Sequence, residues 1–311
     1  MSACVESLFY VGREKPWHGL GVSVENAPTS EDAIRYAGLD WNVEQQPLFL
    51  GNGNKIPDNF ANVRSSDGKF LGVVGNRYQI VQNTDAFAFT DALLGEGVKY
   101  ETAGSLKDGK VIWLLARMPE TIQILGDEVA PYLVFTNTHD GSGAVRVTMT
   151  NVRVVCNNTL NMALKGAKRV WSARHTGSIT SKLDDAMETL QFAHNYIEAQ
   201  KETFEQLHKV KLSDTTVYST IQNLIPIGED LSDRQRDNLK RVSDDILYRF
   251  YNAPDLKDRD MTGARLVQAV ADTTSHIVPV RRTANYEENH FKATLDGNDL
   301  LDKTVGMLLS A

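Results

Sequence analysis

Cysteine is scarce in this sequence. Only Cys4 and Cys156 occur in 311 residues, too few for a disulfide framework, and both thiols are read as free in a reducing bacterial cytoplasm. Nothing approaches the roughly 18 continuous apolar residues of a membrane span, so no membrane association is expected. The N-terminal MSACVESLFYVGREKPWHGLG has no basic start followed by a long apolar run, and no secretion signal is read. There is no GxxxxGK[ST] phosphate loop and no GxSxG. The glycines of GVVGNRYQIVQ precede a strand instead of opening a helix, so no nucleotide cofactor is expected. His18, His139, His175, His194, His208, His276 and His290 never take HExxH spacing, and CxxC is missing too. Neither a metal nor any other cofactor is expected from these patterns.

A further absence is local. Gly141–Lys182 contains no Asp or Glu, where an even spread of the 40 acids would put about five. The same 42 residues carry Arg146, Arg153, Lys165, Lys168, Arg169, Arg174 and Lys182, within a chain of net charge −7. Charged residues that merely solvate a sheet surface explain the cations. They do not explain the missing acids, because solvation is indifferent to sign. An anionic ligand explains both. The acidic average, with pI near 5.5, argues against indiscriminate coating of DNA.

The pattern of elements predicts an α+β fold. Residues 1–180 read as a hairpin-rich sheet with packed helices, and residues 181–311 as a helical domain with one long helix. Pro28, Thr29 and Ser30 precede a short helix, with a capping-box pattern over Thr29–Asp32. WNVEQQPLFL reads as a strand, GNGNKIPDNF as a loop, and FANVRSSDGKFLGVV as a hairpin turning at Ser-Asp-Gly. Asn83 or Thr84 is positioned to cap a helix that ends at Gly95. Two more hairpins follow, turning at Lys107–Lys110 and at Asp140-Gly141.

Val152, Val155, Cys156, Thr159, Leu160 and Ala163 then fall on one helical face, with Asn151 as cap and Gly166 as stop. On the opposite side Arg153, Asn157, Asn161 and Lys165 recur every four residues. The β-branched Val152, Val154 and Val155 equally permit continued strand. KRVWSAR returns as a strand. Beyond Ser178 helices are predicted over about 30 residues from Leu183, then over 214–224, 232–252 and 262–277, with one more short helix in the tail. The apolar spacing of 183–207 serves either assembly or packing on the following helices.

Cys156 could act as a nucleophile with His139 or His175, but its phase groups it with apolar neighbours, the commoner fate of a buried cysteine. His139-Asp140 in THDGSG could bind metal or move protons, while an Asp-Gly hairpin tip is sufficient structural explanation for Asp140 and Gly141. No catalytic residue is assigned. The candidate nucleic-acid-binding set is Arg146, Arg153, Asn157, Asn161, Lys165, Lys168, Arg169, Arg174 and His175. Trp171, Tyr78, Tyr100 and Trp113 are interleaved as possible base-stacking surfaces, although such residues in strands more often belong to the core.

The stretches PWHGLG, NTHDGS, RVVCNNTLNMAL, RHTGSI and TGARLVQAVADTTSH resemble the phage/plasmid-like protein family of unknown function. They occur in its order over most of the chain. The last departs at Ala264–Gln268, where an aromatic and an Asn would be expected. That resemblance implies a mobile element in a bacterial cytoplasm. Separately, a hairpin followed by YQIVQNTDAFAFTDALLGEGVKYETAG and another hairpin is similar to single-strand annealing proteins of the radiation-sensitivity recombination type. It implies a ring-forming homo-oligomer that holds single-stranded DNA in a positively charged groove without a nucleotide cofactor. The leading expectation is a non-enzymatic single-stranded DNA (or RNA) binder used in annealing or recombination. The alternatives are a module that binds host or phage proteins through its helical half, and a metal-dependent hydrolase or nuclease using His139, Asp140 and His175.

Overall fold

The computed structural model describes residues 5–11, 22–26, 28–95, 99–118, 121–153, 158–159, 170–277 and 297–310. The chain is α+β, sheet-rich first and helical after. The strands are β1 (Val5–Val11), β2 (Val22–Val24), β3 (Val43–Phe49), β4 (Lys55–Arg64), β5 (Phe70–Gly75) and β6 (Lys99–Leu106), followed by β7 (Val111–Arg117), β8 (Ile122–Ile124), β9 (Asp127–Thr138), β10 (Val145–Arg153), β11 (Asn158–Thr159) and β12 (Val170–Ala173). Two helices lie among them, α1 (Ser30–Tyr36) and α2 (Asn83–Leu94). Among the described residues five follow: α3 (Leu183–Lys209), α4 (Asp214–Leu224), α5 (Asp233–Asn252), α6 (Gly263–His276) and α7 (Asp299–Leu309).

Nine strands form the main sheet, with the path β11-β10-β9-β7-β6-β1-β2. β12 joins β10 and β8 joins β9. A separate three-stranded sheet runs β3-β4-β5. Strand residues alternate between faces. On β9 the odd positions Leu133 and Phe135 meet Ile112, Leu114, Val145 and Val147, together with Phe87 and Phe89 of α2, in the first core. The second core joins α4–α7 to Phe204 and Leu207 at the end of α3, and takes in Ile124 and Val129 from β8 and β9. α3 therefore starts at Ala186 in one core and finishes in the other.

The helix expected from Val152 is corrected. β10 runs straight through, paired with β9 from Arg146↔Thr136 to Arg153↔Val129. Asn158 and Thr159 return antiparallel on Arg153 and Val152. At Val152 strand wins because a ladder on each side, to β9 and to β11, satisfies the backbone. Asn151 accordingly does not cap a helix. It is buried, and its side-chain amide donates to Gln200 of α3 at 2.9 Å. Residues 154–157 and 160–169, with the rest of that reading, lie outside the described residues.

Three smaller readings also change. The loop at GNGNKIPDNF shrinks to residues 51–54, and β4 begins at Lys55 despite Pro57 and Asp58, which strands usually avoid. The Asn83/Thr84 cap is replaced by Gln82, whose backbone N–H donates to the Asp85 carboxylate at 2.9 Å while its side chain pairs with the Val43 backbone. Asn83 is taken instead by tertiary bonds to the carbonyls of Leu39 and Trp41. Thr29 occupies the cap position of α1 without a side-chain cap bond.

Candidate anion-binding groove

Three chain segments meet at one end of the main sheet. They are the connection after β5 (Gly75–Gln79), the β9–β10 turn (Gly141–Ala144) and the exit of β12 (Arg174–Thr176). Between them lies an open groove of about 1170 Å³. The β9–β10 turn is held by its own bonds: Ser142 N–H donates to the Asp140 carboxylate at 2.9 Å, and Gly143 N–H to the Thr138 hydroxyl at 3.0 Å. Its tip sits directly on β5. A Cβ at Gly72 would lie 2.6 Å from the Asp140 Cα, so only glycine allows this approach. Asn62 of β4 clamps the same turn, donating to the His139 carbonyl at 2.7 Å.

Two imidazoles lie beneath. His139 is fully buried. Its Nε2 is 3.0 Å from the Asn83 side-chain oxygen, whose own NH2 is already committed to two carbonyls. Nε2 is therefore the donor and Nδ1 carries the lone pair. Burial, then the neighbouring His175, push His139 down to about 3. His139 is thus a structural post, not an accessible acid or base. His175 is 5 % exposed. Its Nδ1 is 3.1 Å from the Gln79 carbonyl, which can only accept, so this ring, unlike His139, carries its proton on Nδ1. Burial lowers its pKa, the bond to Gln79 opposes, and the charge of Lys182 lowers it further. Tyr78 stacks on the His175 ring, with centroids 4.4 Å apart and planes at 14°. The Tyr78 hydroxyl donates to the Thr138 carbonyl at 2.8 Å. Burial and the charge of Asp140 push that phenol well above its ordinary value.

The rim is cationic. Arg77 and Arg174 line the groove and are exposed, and neither pairs with a carboxylate of any described residue. Lys182 donates to the Arg174 carbonyl at 2.6 Å. Asp140 is the nearby acid, engaged in the turn.

Of the candidate set, Arg174 and His175 therefore come together here, with His175 as floor instead of surface. Arg146 is half-buried and faces Ser172 across the ladder, two residues before Arg174. Arg153 sits at the other end of β10, seven residues away, about 23 Å at the usual strand rise. Asn157, Asn161, Lys165, Lys168 and Arg169 lie outside the described residues. The stacking set is corrected. Tyr100, Trp113 and Trp171 are buried, with Trp171 stacked on Phe89 in the core, and only Tyr78 reaches the groove. Arg77 was missed by sequence reasoning. It lies outside the acid-free block, and its only signal was Gly-Asn-Arg directly after a strand.

The fold and groove define an α+β protein with a basic cleft at one end of its main sheet. A family model, Domain of unknown function (DUF932), matches residues 70–295, from β5 to just short of α7, and the chain belongs to that family. The match brings with it neither a phage origin nor a likeness to recombination proteins. No curated protein and no solved structure matches the chain. Among the described residues no helix is long and apolar enough to cross a membrane. Among them, too, no three His, Cys, Asp or Glu side chains are grouped to hold a metal ion.

Proposed function

We propose that the groove holds an extended single strand of nucleic acid by its phosphates, without chemistry on the strand. The observation that carries this reading is the pair of exposed guanidiniums, Arg77 and Arg174, which line one groove with no carboxylate paired to either among the described residues. A guanidinium without a protein counter-ion is an open phosphate site. Gly141–Ala144 and Arg174–Thr176 of the acid-free stretch line it, and Lys182 lies close by, bonded to the Arg174 carbonyl. The expected action in the bacterial cytoplasm, on a phage or plasmid, in annealing and as a homo-oligomer, belongs to the same proposal.

The test is fluorescence anisotropy of a labelled single-stranded oligonucleotide at low and moderate salt. Wild-type protein is expected to bind with affinity falling steeply as salt rises. Arg77→Ala with Arg174→Ala should reduce the log–log salt slope by about 1.4, the value for two lost single-strand phosphate contacts. Arg77→Glu with Arg174→Glu should abolish binding. Unchanged binding by the folded double-Glu variant overturns the assignment. So does no binding by wild type at low salt, in which case a protein partner for the helical half becomes the leading reading.

A further inference from the structure

Electrostatic rims hold any polyanion, but this groove also contains a tyrosine ring. Tyr78 lines it, flanked in sequence by Arg77 and in space by Arg174. The ring is fixed at two points. His175 supports one face at 4.4 Å, nearly parallel, and the hydroxyl is tied to the Thr138 carbonyl. His175 is itself pinned by Gln79, whose backbone N–H returns a bond of 2.8 Å to the His175 carbonyl. A tyrosine that served only as core filling would not need a buried imidazole stacked beneath it and a groove beside it. The neighbouring Trp113, Trp171 and Tyr100 show the alternative, being buried with no groove exposure.

We propose that Tyr78 is the stacking platform for one nucleobase of the bound strand, with the flanking phosphates on Arg77 and Arg174. The strand is thereby held by a base as well as by its phosphates. A planar base adds a layer to the His175–Tyr78 stack, and ordering it costs little because the platform is already rigid. Stacking on an aromatic is tolerant of base identity, since every base has a π face. The inference rests on the nucleic-acid reading of the groove given above.

The experiment compares a single-stranded oligonucleotide with a base-free deoxyribose-phosphate chain of equal length and charge. Both are titrated against wild type, Tyr78→Phe and Tyr78→Leu by anisotropy. Wild type is expected to bind the base-carrying strand about tenfold or more tighter, the usual worth of one stacked base. Tyr78→Phe keeps the ring and should keep that preference. Tyr78→Leu should bind both chains equally, at the affinity wild type shows for the base-free chain. A general structural role for Tyr78 would instead weaken both chains alike. Equal binding of the two chains by wild type overturns the platform while leaving the phosphate groove intact, and needs no variant to fold. A preference that survives in Tyr78→Leu also overturns it. If wild type binds neither chain at low salt, the groove reading itself falls, and the platform with it.

Discussion

Two charged regions of this molecule behave in opposite ways. At the turn between β8 and β9, Asp127 is 3 % exposed and accepts from both terminal nitrogens of Arg259 and from Gln268. Lys211 and Asp260 pair beside it at 3.0 Å. The buried Arg265 directs its guanidinium at the carbonyls of Phe250 and Arg259 and lies over the Phe250 ring. At the groove, by contrast, Arg77 and Arg174 reach solvent with no such answer among the described residues. The first pattern joins the sheet to the helices, since Asp127 is on β9 and Gln268 on α6. The second stabilises nothing visible. Charge that is matched in burial is architecture, whereas charge left unmatched at a cleft is available to a ligand.

The sharpest break of this comparison is at Asp127. Asp127→Ala should lower unfolding stability by about 3 kcal/mol, because it leaves Arg259 and the buried Gln268 amide without their acceptor. Urea unfolding at pH 7 measures it. A change below about 0.5 kcal/mol would mean that the junction is held by the apolar contacts of Ile124 and Val129 with the second core alone.

Beneath the groove sits a group of a third kind, polar and buried but uncharged. His139 has a folded pKa of about 3, below its unfolded value near 6.5. The unfolded chain therefore binds the extra proton first as pH falls. The contribution of this group is fully present above about pH 6.5 and is lost progressively towards pH 3. His175 shifts in the same direction. The expected slope from His139 is about 1.4 kcal/mol per pH unit over that window. Urea melts at pH 7, 6 and 5 should show it, with His139→Gln shallower by one proton. Asp67, held down to about 2 by its bond to Arg64, acts only at lower pH. An equal slope in the variant would contradict the burial argument.

Among the described residues, the helical half was legible almost residue by residue. Its apolar spacing places α4 to α6 within a residue of where they lie, and α3 starts at the expected Leu183 but is 27 residues long instead of about 30. Hairpins with Asp-Gly turns were legible for the same local reason. The β8–β9 hairpin was not. It turns in two residues at Leu125-Gly126, both at positive φ, and leucine there gives no turn signal. The false helix at Val152 arose because a 3–4 apolar spacing over β-branched residues fits either period, and only the β9 ladder decides. Of the site, the missing acids were visible in the sequence, but convergence was not. Arg77 and Arg174 are 97 positions apart and line one groove because the Gln79 N–H bonds the His175 carbonyl, which ties their two segments together.

The smallest expected effect is the most discriminating. If the groove cations are there for a ligand, removing them should leave the empty fold untouched. Arg77→Ala with Arg174→Ala should change unfolding stability by no more than about 0.5 kcal/mol, the ordinary range for exposed positions without partners. A slight gain is expected, since two like charges no longer share one rim. Urea unfolding at low salt is the measurement, because screening would hide the repulsion. A loss of 2 kcal/mol or more would show that these arginines hold the fold as Arg259 does. The contrast between matched and unmatched charge would then fail at the position where the proposed function needs it.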